Sequence, residues 1–249
     1  MPVLPPLSSP EALSRLLARP CAVFLDFDGT LADLAPTPDA VSIPPALLHL
    51  LDALQKRLDG ALAIVSGRPV AELDHFLAPL HLSCVGTHGA ERRLAHAPLI
   101  QLPVPSLAAV EAAATGLVRQ EPRLILERKH GAVALHYRRA PACADLCLAT
   151  LQAATRGLPG VTLLHGKMVV EVKAAHFDKG RAIRDFLQEP PFAGRVPLFA
   201  GDDVTDESGF EVVQAAHGSG IKVGPGTTLA RYRISDPAAV HRLLAHMLD

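Results

Sequence analysis

Four short polar groups carry the residue types needed for phosphorus chemistry: Asp26-Phe27-Asp28-Gly29-Thr30, Ser66-Gly67-Arg68, Lys179-Gly180 and Gly201-Asp202-Asp203-Val204-Thr205-Asp206-Glu207. Brought to one edge of a sheet, the carboxylates of Asp26, Asp28, Asp202, Asp203 and Asp206 repel and raise one another's pKa. A cation relieves that repulsion, and an all-oxygen donor set suits Mg²⁺, with Asp26, Asp28, Asp202 and Asp203 as expected ligands. Lys179 adds a second positive charge. Thr30 and Ser66 offer hydroxyl donors, and the N–H groups following Asp26 make an anion cradle. Such a site draws in a dianion. Asp26 is then placed to attack phosphorus, and Asp28, two residues on, to give a proton to the leaving oxygen and later take one from water. The expected catalytic set is Asp26, Asp28, Thr30, Ser66 and Lys179.

The elements that must hold these groups are legible from apolar periodicity. Cys21 to Phe27 is a nearly unbroken apolar run, as in a strand buried on both faces. Pro44-Pro45 opens a helix whose Leu47, Leu50, Leu51, Leu54 and Leu58 form one stripe, and Gly60 stops it. Ala61 to Val65 and Leu82 to Val85 read as strands, with a helix from Pro69 between them. The same alternation returns later. Lys179–Leu187, Asp206–Ala216 and Asp236–Leu248 read as helices, and Val196–Ala200 and Gly220–Val223 as strands. Alternating strands and helices with short loops predict an α/β fold, a doubly wound parallel-sheet core with right-handed crossovers. Ligands bind such sheets outside the carboxyl ends of the strands, where all four polar groups fall. A short helix, Pro10–Ala18, precedes the first strand.

The middle of the chain follows another pattern. After a strand near Leu99 come a helix (Ser106–Gln120) and strands Arg123–Arg128 and Gly131–Tyr137. A second helix (Ala142–Arg156) and strands Val161–His165 and Met168–Val172 follow. Tight turns at Lys129-His130-Gly131 and at Gly166 make hairpins, hence antiparallel pairing. The predicted organisation is a core from 1–98 and 175–249 with an inserted α+β cap over 99–174. The cap closes over the core's carboxyl edge, with hinges near 92–98 and 174–178.

The four polar groups, in this order and on these elements, resemble the signature of the haloacid dehalogenase superfamily of phosphatases. The resemblance narrows further and covers nearly the whole chain. Val65-Ser66-Gly67-Arg68, Thr87-His88-Gly89-Ala90-Glu91 and Gly201–Glu207 are similar to trehalose-6-phosphate phosphatases. So are Leu126-Glu127-Arg128-Lys129, His136-Tyr137-Arg138 and Gly166-Lys167-Met168-Val169-Val170-Glu171-Val172. The resemblance implies a Rossmann-like core, Mg²⁺, and a phosphorylated disaccharide whose hydroxyls are held by Glu127, Lys129, Arg138, Lys167 and Glu171. Gly67, Arg68, His88, Asp206 and Glu207 are further expected substrate contacts. For Arg68 the alternative is a role beside the following helix, and for Glu207 simple complementation of a helix start. Sucrose 6-phosphate or another sugar phosphate is the alternative substrate, and a phosphomutase the alternative reaction. Ala174 departs from the pattern, since many relatives have Pro there.

Bulk properties narrow the classes. The 249 residues are 49% apolar, enough for a sizeable core, and carry a net charge of −1. That balance, with sparse aromatics and no Trp, speaks against a nucleic-acid or anionic-membrane surface. No apolar run approaches the ~20 residues that span a bilayer. Cys21, Cys84, Cys143 and Cys147 form no C-x-x-C pair and read as buried thiols in a reducing compartment. The expectation is a cytoplasmic monomer acting on a small molecule.

Overall fold

The computed structural model describes residues 20–35, 37, 40–166 and 168–248. The expected helix over Pro10–Ala18 and the side chain of Lys167 lie outside them. The chain divides into two compact units, 1–100 with 178–249, and 101–177.

The first unit is built on a central sheet ordered β12-β11-β10-β1-β2-β3-β4-β5. Its parallel strands are β1 (Cys21–Leu25), β2 (Leu62–Val65), β3 (Ser83–Gly86), β10 (Val196–Gly201), β11 (Ser219–Val223) and β12 (Tyr232–Ile234). Strand β4 (Glu91–Arg93) turns back antiparallel on β3, and β5 is Ile100–Gln101. Every residue of β1, β2, β3 and β11 is buried, as a parallel sheet covered on both faces requires. The covering helices are α1 (Pro45–Arg57), α2 (Val70–Leu77), α5 (Lys179–Phe186), α6 (Glu207–Ala215) and α7 (Pro237–His246). Proline at the first turn and Lys56-Arg57 at the last suit the α1 ends. One side of the core is stitched by Phe24, Phe186 and Phe192, with ring centroids 4.9–6.2 Å apart.

Strands β1 to β3 run outward from β1 in one direction, and β10 to β12 in the other. The order therefore reverses between β1 and β10, and the crevice at such a reversal is where these sheets bind ligands. Strands β1 and β10 pair in register from Cys21 opposite Val196 to Leu25 opposite Ala200, and the Asp26 N–H continues the ladder to the Ala200 carbonyl at 2.9 Å. Asp26 thus continues the register opposite Gly201, one residue before Asp202, and the two acids leave adjacent strands close together.

The second unit is a four-stranded antiparallel sheet, ordered β6-β7-β9-β8, with two helices. The strands are β6 (Ile125–Lys129), β7 (Ala132–His136), β8 (Val161–Gly166) and β9 (Val169–Ala174), and the helices α3 (Ala108–Gln120) and α4 (Ala144–Thr155). One sheet face supplies Val133, Leu135, Val170 and Val172 to a core with Val110, Ala114, Cys147 and Leu151 of the helices. The α/β core and the α+β module follow the sequence expectation. Three details differ. The β8–β9 turn passes through Met168 with φ +65° rather than turning at Gly166. Strand β12 was not expected, because Tyr232–Ile234 is too short to show a period. Arg92 and Arg93, assigned from sequence to a hinge, belong to β4, where Arg93 grips both Asp74 oxygens at 2.6 Å and Arg92 pairs with Glu189.

Candidate active site

Lys179, the first residue of α5, is the hub. Its Nζ donates to Asp26 Oδ1 at 2.7 Å and to Asp206 Oδ1 at 2.6 Å, and all three side chains are buried. Asp178, extended just before the helix, caps it by accepting from the Arg181 N–H, which fixes the helix start and hence the lysine. Burial alone would favour a neutral lysine, but the two carboxylates outweigh it and push the pKa well up, so Lys179 is an ammonium. Burial moves Asp26 the same way, well above the usual carboxylate range. Lys179 opposes that shift, while Asp206 and Asp202 add to it.

Asp26, Asp202 and Asp206 each bring a carboxylate oxygen within 4.8 Å of the others. Two glycines allow this approach. At Gly29, with φ +81°, a Cβ would lie 2.3 Å from Asp202 Oδ2, and at Gly201 one would lie 2.4 Å from Asp206 Cγ. Lys222 donates to the Asp202 carbonyl from the buried strand β11. Three carboxylates thus meet two ammonium groups. A phosphate dianion added to that count calls for a further cation, and three clustered carboxylate oxygens are a fitting donor set for a hard divalent ion.

The carboxylates that converge are not the same four that the sequence suggests as ligands. Asp203 stands outside the carboxylate group, because its side chain caps the turn Val204–Asp206 while Asp206 Oδ2 accepts from the Asp203 N–H at 2.9 Å. Asp206, expected at the substrate, is fully buried in the cluster instead. Asp28 is outside it too, its oxygens taken by Arg68 Nε at 2.6 Å and Nη2 at 2.8 Å. Arg68, expected on substrate, is buried and turned inward to Asp28 and to Glu72, whose contact with Nη1 is 3.0 Å. Glu207 accepts from the Leu229 N–H at 2.7 Å.

Two hydroxyls follow the ends of β1 and β2. Thr30 is fully buried and its Oγ1 has no hydrogen-bond partner among the described residues. Ser66 Oγ accepts from the Arg68 N–H at 3.1 Å, which leaves its own proton to donate. Gly67 lies under the His88 ring, and His88 is buried at φ +56°, next to Thr87 at φ +46°. Two successive non-glycine residues in the left-handed region store of the order of 1–3 kcal/mol each, a feature of functional loops.

In the second unit the register places Glu127, Ala134 and Glu171 in one row across β6, β7 and β9, and Lys129, Ala132 and Lys173 in the next. The alanines leave room for Lys129 Nζ to reach Glu127 at 3.2 Å and Glu171 at 3.3 Å, while His136 holds Glu127 at 2.7 Å. Burial works against the Glu127 charge, yet His136 and Lys129 prevail and lower its pKa. Arg138 is exposed in the turn after β7.

Lys222 belongs to none of the sequence motifs. A single lysine inside the apolar run Gly220–Val223, at the carboxyl end of its strand, was the available signal. Glu91 closes the Thr87–Glu91 motif. Its carboxylate accepts from the Val70 N–H at 2.8 Å, capping α2 beside the Ser66 loop.

Comparison with known proteins agrees with this architecture. The trehalose-phosphatase family model matches residues 24–238. The trehalose-6-phosphate phosphatase of Escherichia coli K12 is 42% identical over 231 residues, 92% of this chain and 87% of that one. A probable trehalose-phosphate phosphatase of Sinorhizobium fredii is 43% identical over 224 residues, 88% and 83% of the two chains. The C-terminal domain of a Candida albicans trehalose-6-phosphate phosphatase superposes with a TM-score of 0.85 at 24% identity, covering 99% of this chain and 98% of that one, which shows the shared fold. With the matched segment running from β1 to the start of α7, the chain belongs to the trehalose-phosphatase family.

Proposed function

We propose that this protein hydrolyses trehalose 6-phosphate to trehalose and phosphate with Mg²⁺, through an aspartyl phosphate on Asp26. The observation that carries the reading is the convergence of Asp26, Lys179, Asp202 and Asp206 where the strand order reverses, in a chain of this family. Asp26 Oδ1 is occupied by Lys179, so Oδ2 is the nucleophile. It forms a bond to phosphorus as the bond from phosphorus to the sugar oxygen breaks, and Asp28 protonates that oxygen. Water then attacks phosphorus, Asp28 accepts its proton, and the bond to Asp26 breaks to release phosphate. Lys179 offsets the charge that develops, and Thr30 and Ser66 donate to phosphoryl oxygens. Asp26, Asp202 and Asp206 would hold Mg²⁺, which supplies Lewis-acid neutralisation of the phosphoryl oxygens. Glu127, Lys129 and Glu171, with Arg138 and Lys167, take sugar hydroxyls through charge-assisted hydrogen bonds.

A panel of trehalose 6-phosphate, sucrose 6-phosphate and monosaccharide phosphates tests the substrate. Trehalose 6-phosphate is expected to give the highest kcat/KM, with free phosphate as product, loss of turnover in EDTA and recovery with Mg²⁺. Equal rates across the panel would remove the disaccharide selectivity, and an isomerised sugar phosphate as main product would indicate a mutase.

Metal binding should also show in stability. The folded pKa of Asp26 is raised above its ordinary 3.8. Its contribution is therefore fully present below that value and lost as pH rises through the folded pKa. Mg²⁺ prefers the ionised carboxylates, so it should raise Tm more near pH 8 than near pH 5. A pH-independent Mg²⁺ shift, measured by calorimetry, would place the ion elsewhere.

A further inference from the structure

Asp28 does not stand alone at the end of β1. Arg68 Nε meets its Oδ2 at 2.6 Å and Nη2 its Oδ1 at 2.8 Å, a two-pronged contact that fixes the plane of the carboxylate as well as its place. The guanidinium is itself held on every side. Nη1 binds Glu72 at 3.0 Å, one turn further on, and the guanidinium carbon sits 5.6 Å from the Phe27 ring centroid and 5.0 Å from that of Phe76. Its backbone is pinned too, the N–H to Ser66 Oγ and the carbonyl accepting from the Thr87 N–H at 2.9 Å. A buried guanidinium with two carboxylates and two rings around it has little freedom to follow a substrate.

We propose that Arg68 is a positioning residue for the reaction: it orients Asp28 as proton donor and acceptor, with Glu72 as its anchor, rather than binding sugar or phosphate. The inference rests on the proton-transfer role given to Asp28 above. Three donors of one rigid fork serve two acids, so the arrangement can give up one contact and still hold. During turnover one Asp28 oxygen turns to the reacting oxygen while the other keeps its bond to Arg68. Nη1 on Glu72 keeps the guanidinium from following. A lysine at this position retains the charge but has no plane to impose.

Leaving-group chemistry separates this role from a structural one. A sugar alkoxide needs a proton to depart, whereas p-nitrophenolate does not. Arg68→Lys, Glu72→Gln and, in parallel, Asp28→Asn are compared by the single-turnover release of trehalose from trehalose 6-phosphate and of p-nitrophenolate from p-nitrophenyl phosphate, both at saturating Mg²⁺, because hydrolysis of the shared aspartyl phosphate uses Asp28 whatever the leaving group. General acid catalysis is worth about 10²–10⁴-fold. Arg68→Lys should lower the release rate from the sugar phosphate by roughly 10-fold or more, that from the aryl phosphate by less than about threefold, and leave the substrate concentration for half-saturation nearly unchanged. Glu72→Gln should show the same bias more weakly, and it reports on the device even if the Arg68 variant does not fold. Equal losses on both substrates would overturn the proposal in favour of a purely structural arginine. A raised half-saturation concentration with the release rate at saturation intact would overturn it in favour of substrate binding. If Asp28→Asn itself shows no leaving-group bias, the proton-transfer reading falls and this inference with it. Bias in Asp28→Asn alone overturns only the role of Arg68.

Discussion

Replacing Asp26 by Asn is expected to lower kcat by at least about 10⁴-fold while the protein remains folded. The amide is nearly the same shape and still accepts the Lys179 N–H, so packing is kept, but it cannot form an acyl phosphate, and loss of a nucleophile is among the costliest single changes to an enzyme. Stability should move little and in an instructive way. Burial and the neighbouring carboxylates of Asp206 and Asp202 raise the Asp26 pKa, so without metal the ionised side chain is a cost that the amide does not carry. The loss of Lys179's charge partner works in the opposite direction. The check is a single-turnover assay with radiolabelled substrate. Wild type quenched in acid should carry label on the protein, and Asp26→Asn should carry none. Substantial residual turnover would mean that another group attacks phosphorus.

The second large effect belongs to Lys179. Substitution by Met removes one ammonium and leaves Asp26 and Asp206, both buried, facing each other. Breaking a buried ion pair from one side costs about 3–5 kcal/mol, because the charges left behind are uncompensated. The charge lost from the transition state should cost about 10²–10³-fold in kcat. The pH dependence has a definite sign. The folded pKa of Lys179 lies above its ordinary 10.5, so its stabilisation is complete below that value and is lost only as pH rises through the folded pKa. Wild type therefore has the full contribution at neutral pH. The Met variant should recover part of its deficit on acidification, when one of the two carboxylates takes a proton. Chemical denaturation of both proteins across pH, without metal, measures this. A deficit that is constant from about pH 8 to pH 5 would contradict the burial of two interacting carboxylates.

Much of this site was legible because its residues sit at element boundaries with strong local signals. An apolar run ending in Asp26-Phe27-Asp28-Gly29-Thr30 is a buried strand with acids at its carboxyl end. The run Val196–Ala200 before Gly201-Asp202 has the same form. Lys179 opens an apolar-striped helix, which directs it to the sheet edge. In the second unit, alternation placed Glu127 and Lys129 on one face, and the strand register agrees. These are consequences of periodicity, which depends only on neighbours in sequence.

What the sequence by itself determined, then, was which residue types would reach the carboxyl edge, and that carboxylates gathered there would call for a cation. Tertiary structure alone decided which of them meet. Asp202 and Asp203 are adjacent and chemically identical. Only the pairing of β10 with β1, and the close approach permitted at Gly29, select Asp202 for the cluster. Asp203 is instead consumed by its own turn, and Asp206, three residues on, folds back over Gly201 to Lys179. The partners of Arg68 were hidden for the same reason: Asp28 lies 40 positions away in the chain. Periodicity reports which way a side chain points, but contact between distant segments depends on strand order and on the room left by neighbouring atoms. The folded chain alone fixes those.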